Sequence, residues 1–250
     1  MEKIGMRNQD KSYTRRLYID FSDTDRDGHV RLTTWLSWLA ELAGDDYEER
    51  GLGRDQLIAE GKVFLISRFA FKLRRMPRAY ETLSASTWEN GTDTVFFNRD
   101  YRFVDERGLT VADARSIWLL CDPVRHRILR PAALNHPVNR LDIPLDCPSP
   151  EKLPLPEQDA VIGRRPIFYS DLDANDHVFC ANYGRIVADA LPAERLRPDL
   201  QSFEINYIKE AKLGETLTIC GQDTDGAYLM AGLHEDGSAC FAARIVTGSF

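Results

Sequence analysis

The sequence predicts an α+β protein that contains one folding unit twice in tandem, each unit a long helix wrapped by a strongly curved antiparallel sheet. Three observations predict it. A polar octapeptide recurs once, an apolar stripe with helical spacing follows each copy, and alternating strand-like runs follow each stripe.

With 250 residues the chain is long enough for two domains of about 125, each able to bury its own core. The apolar fraction of 43% and the charged fraction of 28% are those of an ordinary globular protein, which argues against a fibrous or disordered chain. Met1 to Arg16 is polar and lacks the apolar centre of a signal sequence, and no run of about 18 apolar residues occurs. A cytoplasmic location and no membrane partner are therefore expected. The five cysteines, Cys121, Cys147, Cys180, Cys220 and Cys240, are scattered without a C-x-x-C pair and read as reduced, packed thiols. A net charge of −7 repels nucleic acid, so no nucleic-acid partner is expected.

The repeat comes first in the chain. Asp23-Thr24-Asp25-Arg26-Asp27-Gly28-His29-Val30 returns as Asp171-Leu172-Asp173-Ala174-Asn175-Asp176-His177-Val178, 148 positions later. Each copy follows an apolar run read as a strand, Leu17 to Phe21 and Ile167 to Tyr169. Each precedes a helix. The first stripe is Trp35, Trp38, Leu39, Leu42 and Ala43; the second is Tyr183, Ile186, Val187, Ala190 and Leu191. Alternation then takes over at Phe69, Phe71 and Leu73 in the first half and at Phe203, Ile205 and Tyr207 in the second. Hairpin turns are expected at Asn90-Gly91, Arg107-Gly108, Asp225-Gly226 and Asp236-Gly237. Seven prolines between Pro131 and Gly163 mark the connection. The expected division is an N-terminal domain over 1–130, a linker over 131–163 and a C-terminal domain over 164–250. One helix followed only by strands has few places to bury its stripe other than a wrapping sheet, which is the hot-dog arrangement; another α+β sandwich is the runner-up fold.

The octapeptide imitates the opening of an EF-hand loop, but position twelve is Thr34 rather than a bidentate Glu and no helix leads into it. No second ligand stands near His29 or His177 at a zinc spacing. No metal and no other cofactor is expected. A capping loop is the plainest reading of the first copy. The second copy differs, because aligning Phe69 with Phe203 sets Glu210 opposite Met76 and so adds a carboxylate to the C-terminal half alone.

At these residues the chain resembles the acyl-acyl carrier protein thioesterases of plants and bacteria. Asp171 to Val178 with Tyr183 is similar to the family's D-L-D-x-N-x-H-V signature and its following Tyr, and Ile205 to Ala211 to its E-Y-R-R-E-C strand. Asn90-Gly91-Thr92, Arg99-Asp100-Tyr101, Ser116-Ile117-Trp118 and Asp122 to Arg127 resemble its N-terminal blocks. The resemblance implies that Asp173, Asn175, His177 and Glu210 are catalytic, that the substrate is a fatty acyl thioester of acyl carrier protein, and that the N-terminal half houses the acyl chain in a tunnel. The family's cysteine after Glu is Ala211 here, so a mechanism based on that thiol is closed to this chain. Phe179 and Cys180 replace the usual asparagines after H-V. No transit sequence is read at the N-terminus, which favours a bacterial cytoplasmic form.

A thioester needs an activated water and a stabilised oxyanion. Glu210 with Asp173 suits the first task, Asn175 and His177 the second; the sequence leaves the division between the carboxylates open. Arg68, Lys72, Arg74, Arg75 and Arg78, with no acid among them, are the expected docking surface for an acidic carrier. An acyl-CoA thioesterase, a non-catalytic acyl-binding module and a hydratase are the rival readings. A homodimer is compatible with a tandem repeat but not required by it.

Overall fold

The computed structural model describes residues 5–192, 195 and 200–248. Short β1 (Gly5–Arg7) and β2 (Tyr13–Tyr18) lead through a 3₁₀ turn at Phe21–Asp23 into α1 (Leu32–Glu49) and the brief α2 (Arg54–Ala59). A meander follows: β3 (Val63–Leu73), β4 (Thr82–Asp93), β5 (Phe96–Asp105), β6 (Thr110–Asp122) and β7 (Arg127–Leu129). The second half repeats the order with β8 (Val161–Pro166), a 3₁₀ turn at Tyr169–Asp171, α3 (Asn182–Ala190), then β9 (Leu200–Tyr207), β10 (Thr216–Thr224), β11 (Ala227–Leu233) and β12 (Ala239–Thr247).

The two halves share one sheet. Its order is β1-β2-β4-β5-β6-β3-β9-β12-β11-β10-β8, with β7 on β6, so β3 and β9 pair antiparallel at the seam. Both seam strands alternate apolar residues toward the helices, and aromatic rings cross the join: Phe71 to Phe203 at 5.6 Å and Phe69 to Tyr207 at 6.2 Å between centroids.

The stripe of α1 is buried as its spacing requires, with Trp35, Leu36, Leu39 and Leu42 fully covered against β3, β4 and β5. Gly51, at φ +69°, ends the helix in a left-handed residue, with Leu52 N–H closing on Tyr47 O at 2.8 Å. Its last turns are pinned by a buried polar cluster. Arg99 on β5 donates to Asp46 at 2.7 Å and lies 4.9 Å above the Tyr47 ring, while Arg7 reaches the other Asp46 oxygen at 2.6 Å. Arg99 of the Arg99-Asp100-Tyr101 block is thus a fold residue.

The stripe of α3 is shorter than expected. Tyr183, Ile186 and Val187 are buried, but the helix ends at Ala190 and Leu191 packs from beyond it. The helices touch at Gly184, where a Cβ would stand 2.9 Å from Thr33 N and 3.0 Å from the Leu32 carbonyl carbon. Only glycine permits that approach.

Three local expectations are corrected. The strands before the loops are β2 and β8, which end at Tyr18 and Pro166; Phe21 and Tyr169 lie on exposed 3₁₀ turns instead. Phe168 is held there by the Arg165 guanidinium stacked at 5.2 Å, which compensates for the ring's exposure. Asn90-Gly91 is not the hairpin turn. It is a bulge inside β4, clasped by Gly91 N–H to Asn139 O at 3.0 Å, and the turn falls at Thr94-Val95. The glycines of the other three turns, Gly108, Gly226 and Gly237, all adopt positive φ.

The proline-rich connection has a purpose of its own. After a 3₁₀ turn at Pro131–Leu134 it crosses the outer face of the sheet as a strap, meeting the strands in their spatial order. Leu141 N–H bonds Glu89 on β4, Arg102 on β5 donates to Pro144 O, and Asp146 N–H meets Asp113 on β6. Arg68 on β3 then donates to Pro150 O, and Leu153 N–H to Asn206 Oδ1 on β9. Prolines suit a strap that takes few backbone hydrogen bonds. Its last expected residues, Val161 to Gly163, have already joined β8.

Candidate active site

The two polar loops are built alike. Asp25 N–H bonds His29 O at 2.8 Å and Asp173 N–H bonds His177 O at 2.9 Å; Gly28 N–H returns to Asp25 O and Asp176 N–H to Asp173 O, both at 3.1 Å. The Asp25 carboxylate accepts Asp27 N–H at 2.9 Å, and that of Asp173 accepts Asn175 N–H at 2.8 Å. Each loop is tied to the same later position, Val30 N–H to Pro77 O and Val178 N–H to Ala211 O. These two bonds put Met76 and Glu210 in equivalent places, as the alignment of the halves requires.

The chemistry of the two places differs. His29 is buried, its Nδ1 without a partner. His177 is a third exposed, and its Nδ1 lies 3.0 Å from Glu210 Oε2; Glu210 is half exposed, with Lys212 Nζ 4.0 Å from its other oxygen. Water and substrate can reach this pair. A second pair, His234 Nδ1 to Glu215 at 2.9 Å, has similar geometry, but its histidine is only 9% exposed and the Nε2 is buried. No substrate can reach that ring.

The four expected residues therefore form two pairs rather than one cluster. His177 meets Glu210. Asp173 meets Asn175, whose Nδ2 lies 3.3 Å from Asp173 Oδ2, and the pairs are joined through the loop backbone. A groove of about 470 Å³ beside the loop is lined by Asp173 together with Tyr169, Leu172 and Asp176, and not by His177 or Glu210. Asp171, deeply buried, braces the loop through Arg165 at 2.8 Å and Phe168 N–H at 2.9 Å.

Arg54 was not foreseen. From α2 in the N-terminal half it donates to Asn175 Oδ1 at 2.6 Å and so fixes which way the carboxamide faces. The Cys180 thiol, beside this loop, is pushed by burial up to about 12, which disfavours the thiolate at neutral pH. Of the expected docking residues, Lys72 pairs with Asp146, Arg74 lies near Asp113 and Asp146, Arg75 pairs with Glu81 and Asp105, and Arg68 serves the strap. Arg78 is exposed. The stretch is not a free basic face.

A tandem hot-dog fold with a reachable histidine-carboxylate pair where a strand passes into a helix has the architecture of a thioesterase. The profile of the acyl-ACP thioesterase N-terminal domain matches residues 10–132, and that of the acyl-ACP thioesterase C-terminal domain matches residues 157–246. The chain belongs to the acyl-ACP thioesterase family and is an acyl-acyl carrier protein hydrolase. The fold is similar to that of an acyl-ACP thioesterase from Bacteroides thetaiotaomicron, at 21% identity and a TM-score of 0.82, covering 95% of this chain and 98% of that one. It is also similar to the 12:0-ACP thioesterase from Umbellularia californica, at 17% identity and a TM-score of 0.77, covering 94% and 96%. A comparison with curated protein sequences finds no match.

Proposed function

We propose that the His177–Glu210 pair carries out the hydrolysis and that Asp173, Asn175 and Arg54 hold the loop that presents it. The contact between His177 Nδ1 and Glu210 carries this reading. With its Nδ1 proton donated to Glu210, His177 has an unprotonated Nε2 that takes a proton from water as the water attacks the thioester carbon. The same Nε2 then returns the proton to the departing carrier thiol, and Glu210 stabilises the imidazolium in between. Asn175, its oxygen held by Arg54 and one N–H by Asp173, has a second N–H left to stabilise the oxyanion.

The Arg54 contact sets the loop against α2, whose Leu57 packs with Phe97, Leu120 and Phe64 in an apolar cluster. The acyl chain is assigned to this N-terminal side. Arg54 and Lys212, both more than half exposed, are the cations an acidic carrier would meet at the site. A reaction on acyl carrier protein suits fatty acid synthesis, and we infer that the enzyme works there, in the cytoplasm. Among the described residues no helix is long and apolar enough to cross a membrane.

A double-mutant cycle tests the pairing. If His177 and Glu210 act as a unit, His177→Ala with Glu210→Ala hydrolyses acyl-carrier substrate no more than about threefold more slowly than His177→Ala alone. Effects that multiply would show that the two groups work separately and would remove the reading.

A further inference from the structure

The N-terminal motifs that hydrolysis does not use meet at one place. Asn90, Asp100 and Ser116 line a cavity of about 450 Å³, together with Arg68, Arg115 and Arg140. Its floor is the outer face of the sheet, where Arg115 on β6 stands across from Asp100 on β5, and Ile117 across from Asn98 and Arg68. Its roof is the strap, which supplies Arg140, Ser149 and Pro150. None of these residues belongs to the loop that carries His177.

A patch that served only to fasten the strap would have its charges closely matched. Here the match is partial, for Arg115 makes only a long ion pair with Asp100. Arg115 Nε is buried without a hydrogen-bond partner and lies 4.0 Å from Asp100 Oδ1, beyond hydrogen-bond reach. The other Asp100 oxygen is taken by Asn90 Nδ2 at 2.8 Å. Burial pushes the Asp100 carboxyl above its ordinary range. The Arg140 side chain has no ion pair or hydrogen bond among the described residues. Three guanidinium groups face only two carboxylates, Asp93 and Asp100, so the lining is cationic. The Phe96 ring, with the Arg68 guanidinium 5.8 Å from its centroid, adds a flat apolar wall.

We propose that this cavity binds a small organic phosphate, its phosphate held between Arg115 and Arg140 and its organic part against Phe96. Guanidinium forks suit oxyanions, and a phosphate offers them three oxygens where a carboxylate offers two. The volume lies within the range of small-molecule sites.

Phenyl phosphate is the probe and benzoate its carboxylate counterpart, each against sodium chloride of equal ionic strength. At ten times its Kd a ligand raises the Tm of a chain this size by about 3 to 6 °C. Phenyl phosphate is expected to give a saturable rise. Half-saturation should be at least tenfold weaker in Arg140→Gln, a change on the exposed strap that leaves the sheet intact, and unchanged in Glu210→Gln. No rise, a rise equalled by benzoate or sodium chloride, or one retained in Arg140→Gln overturns the assignment.

Discussion

Glu210→Gln lowers kcat for acyl-carrier hydrolysis by a factor of about 10² to 10³ while leaving KM within about twofold. Glutamine keeps an oxygen that can accept the His177 Nδ1 proton, so the ring stays in place; what it loses is the charge that supports the imidazolium while the thioester is attacked. That interaction exists only in the transition state, so the loss belongs to kcat. Glu210 is half exposed, and its Tm should stay within about 2 °C of the parent's, since surface substitutions away from the core change stability little. Steady-state kinetics beside a melting curve separate the outcomes. A kcat within threefold of the parent's would mean that the carboxylate is a bystander.

Asp46→Ala has the opposite signature, a large loss of stability with no direct effect on chemistry. Asp46 is almost fully buried and accepts Arg99 at 2.7 Å and Arg7 at 2.6 Å. Removing it leaves the Arg99 guanidinium buried without its counter-charge, which costs about 3 to 5 kcal/mol. For a chain of this length that is a fall in Tm of roughly 6 to 20 °C. Activity per folded molecule, measured well below the transition, should remain near the parent's, because the cluster fastens the far end of α1 to β1 and β5. A melting curve unchanged within about 2 °C would show that this cluster is not what anchors the helix.

Much of the fold was legible because its signals are local. The stripes from Trp35 to Ala43 and from Tyr183 to Val187 need a helix and a covering sheet, and one loop appearing twice sets the order of both halves. The equivalence of Met76 and Glu210 was also legible, since the two halves bond their loops to the same strand end. What escaped depends on partners distant in the chain. Arg54 sits in a six-residue helix without a motif and meets Asn175 across 121 positions. Asn90-Gly91 has ideal turn chemistry, yet the strap claims its backbone and makes it a bulge. Among the acids that pair with Lys72, Arg74 and Arg75, Glu81 is near in the chain, but the others arrive from β5, β6 and the strap, which no run of local charge reveals. The split of the polar quartet was hidden because Asp173 serves its own loop as Asp25 does in the other copy, a role its motif does not display.

Two loops of one construction differ in chemistry because, of their two histidines, only His177 has a carboxylate partner and a solvent-reachable ring. Free fatty acid released from acyl-carrier substrate by His177→Ala and by His29→Ala, each corrected for folded protein, tests it most directly. The prediction is a loss of at least about 10² for His177→Ala and a rate within about threefold of the parent's for His29→Ala, whose ring is buried and so carries no catalytic duty. A comparable loss in both, or the larger loss at His29, would contradict it.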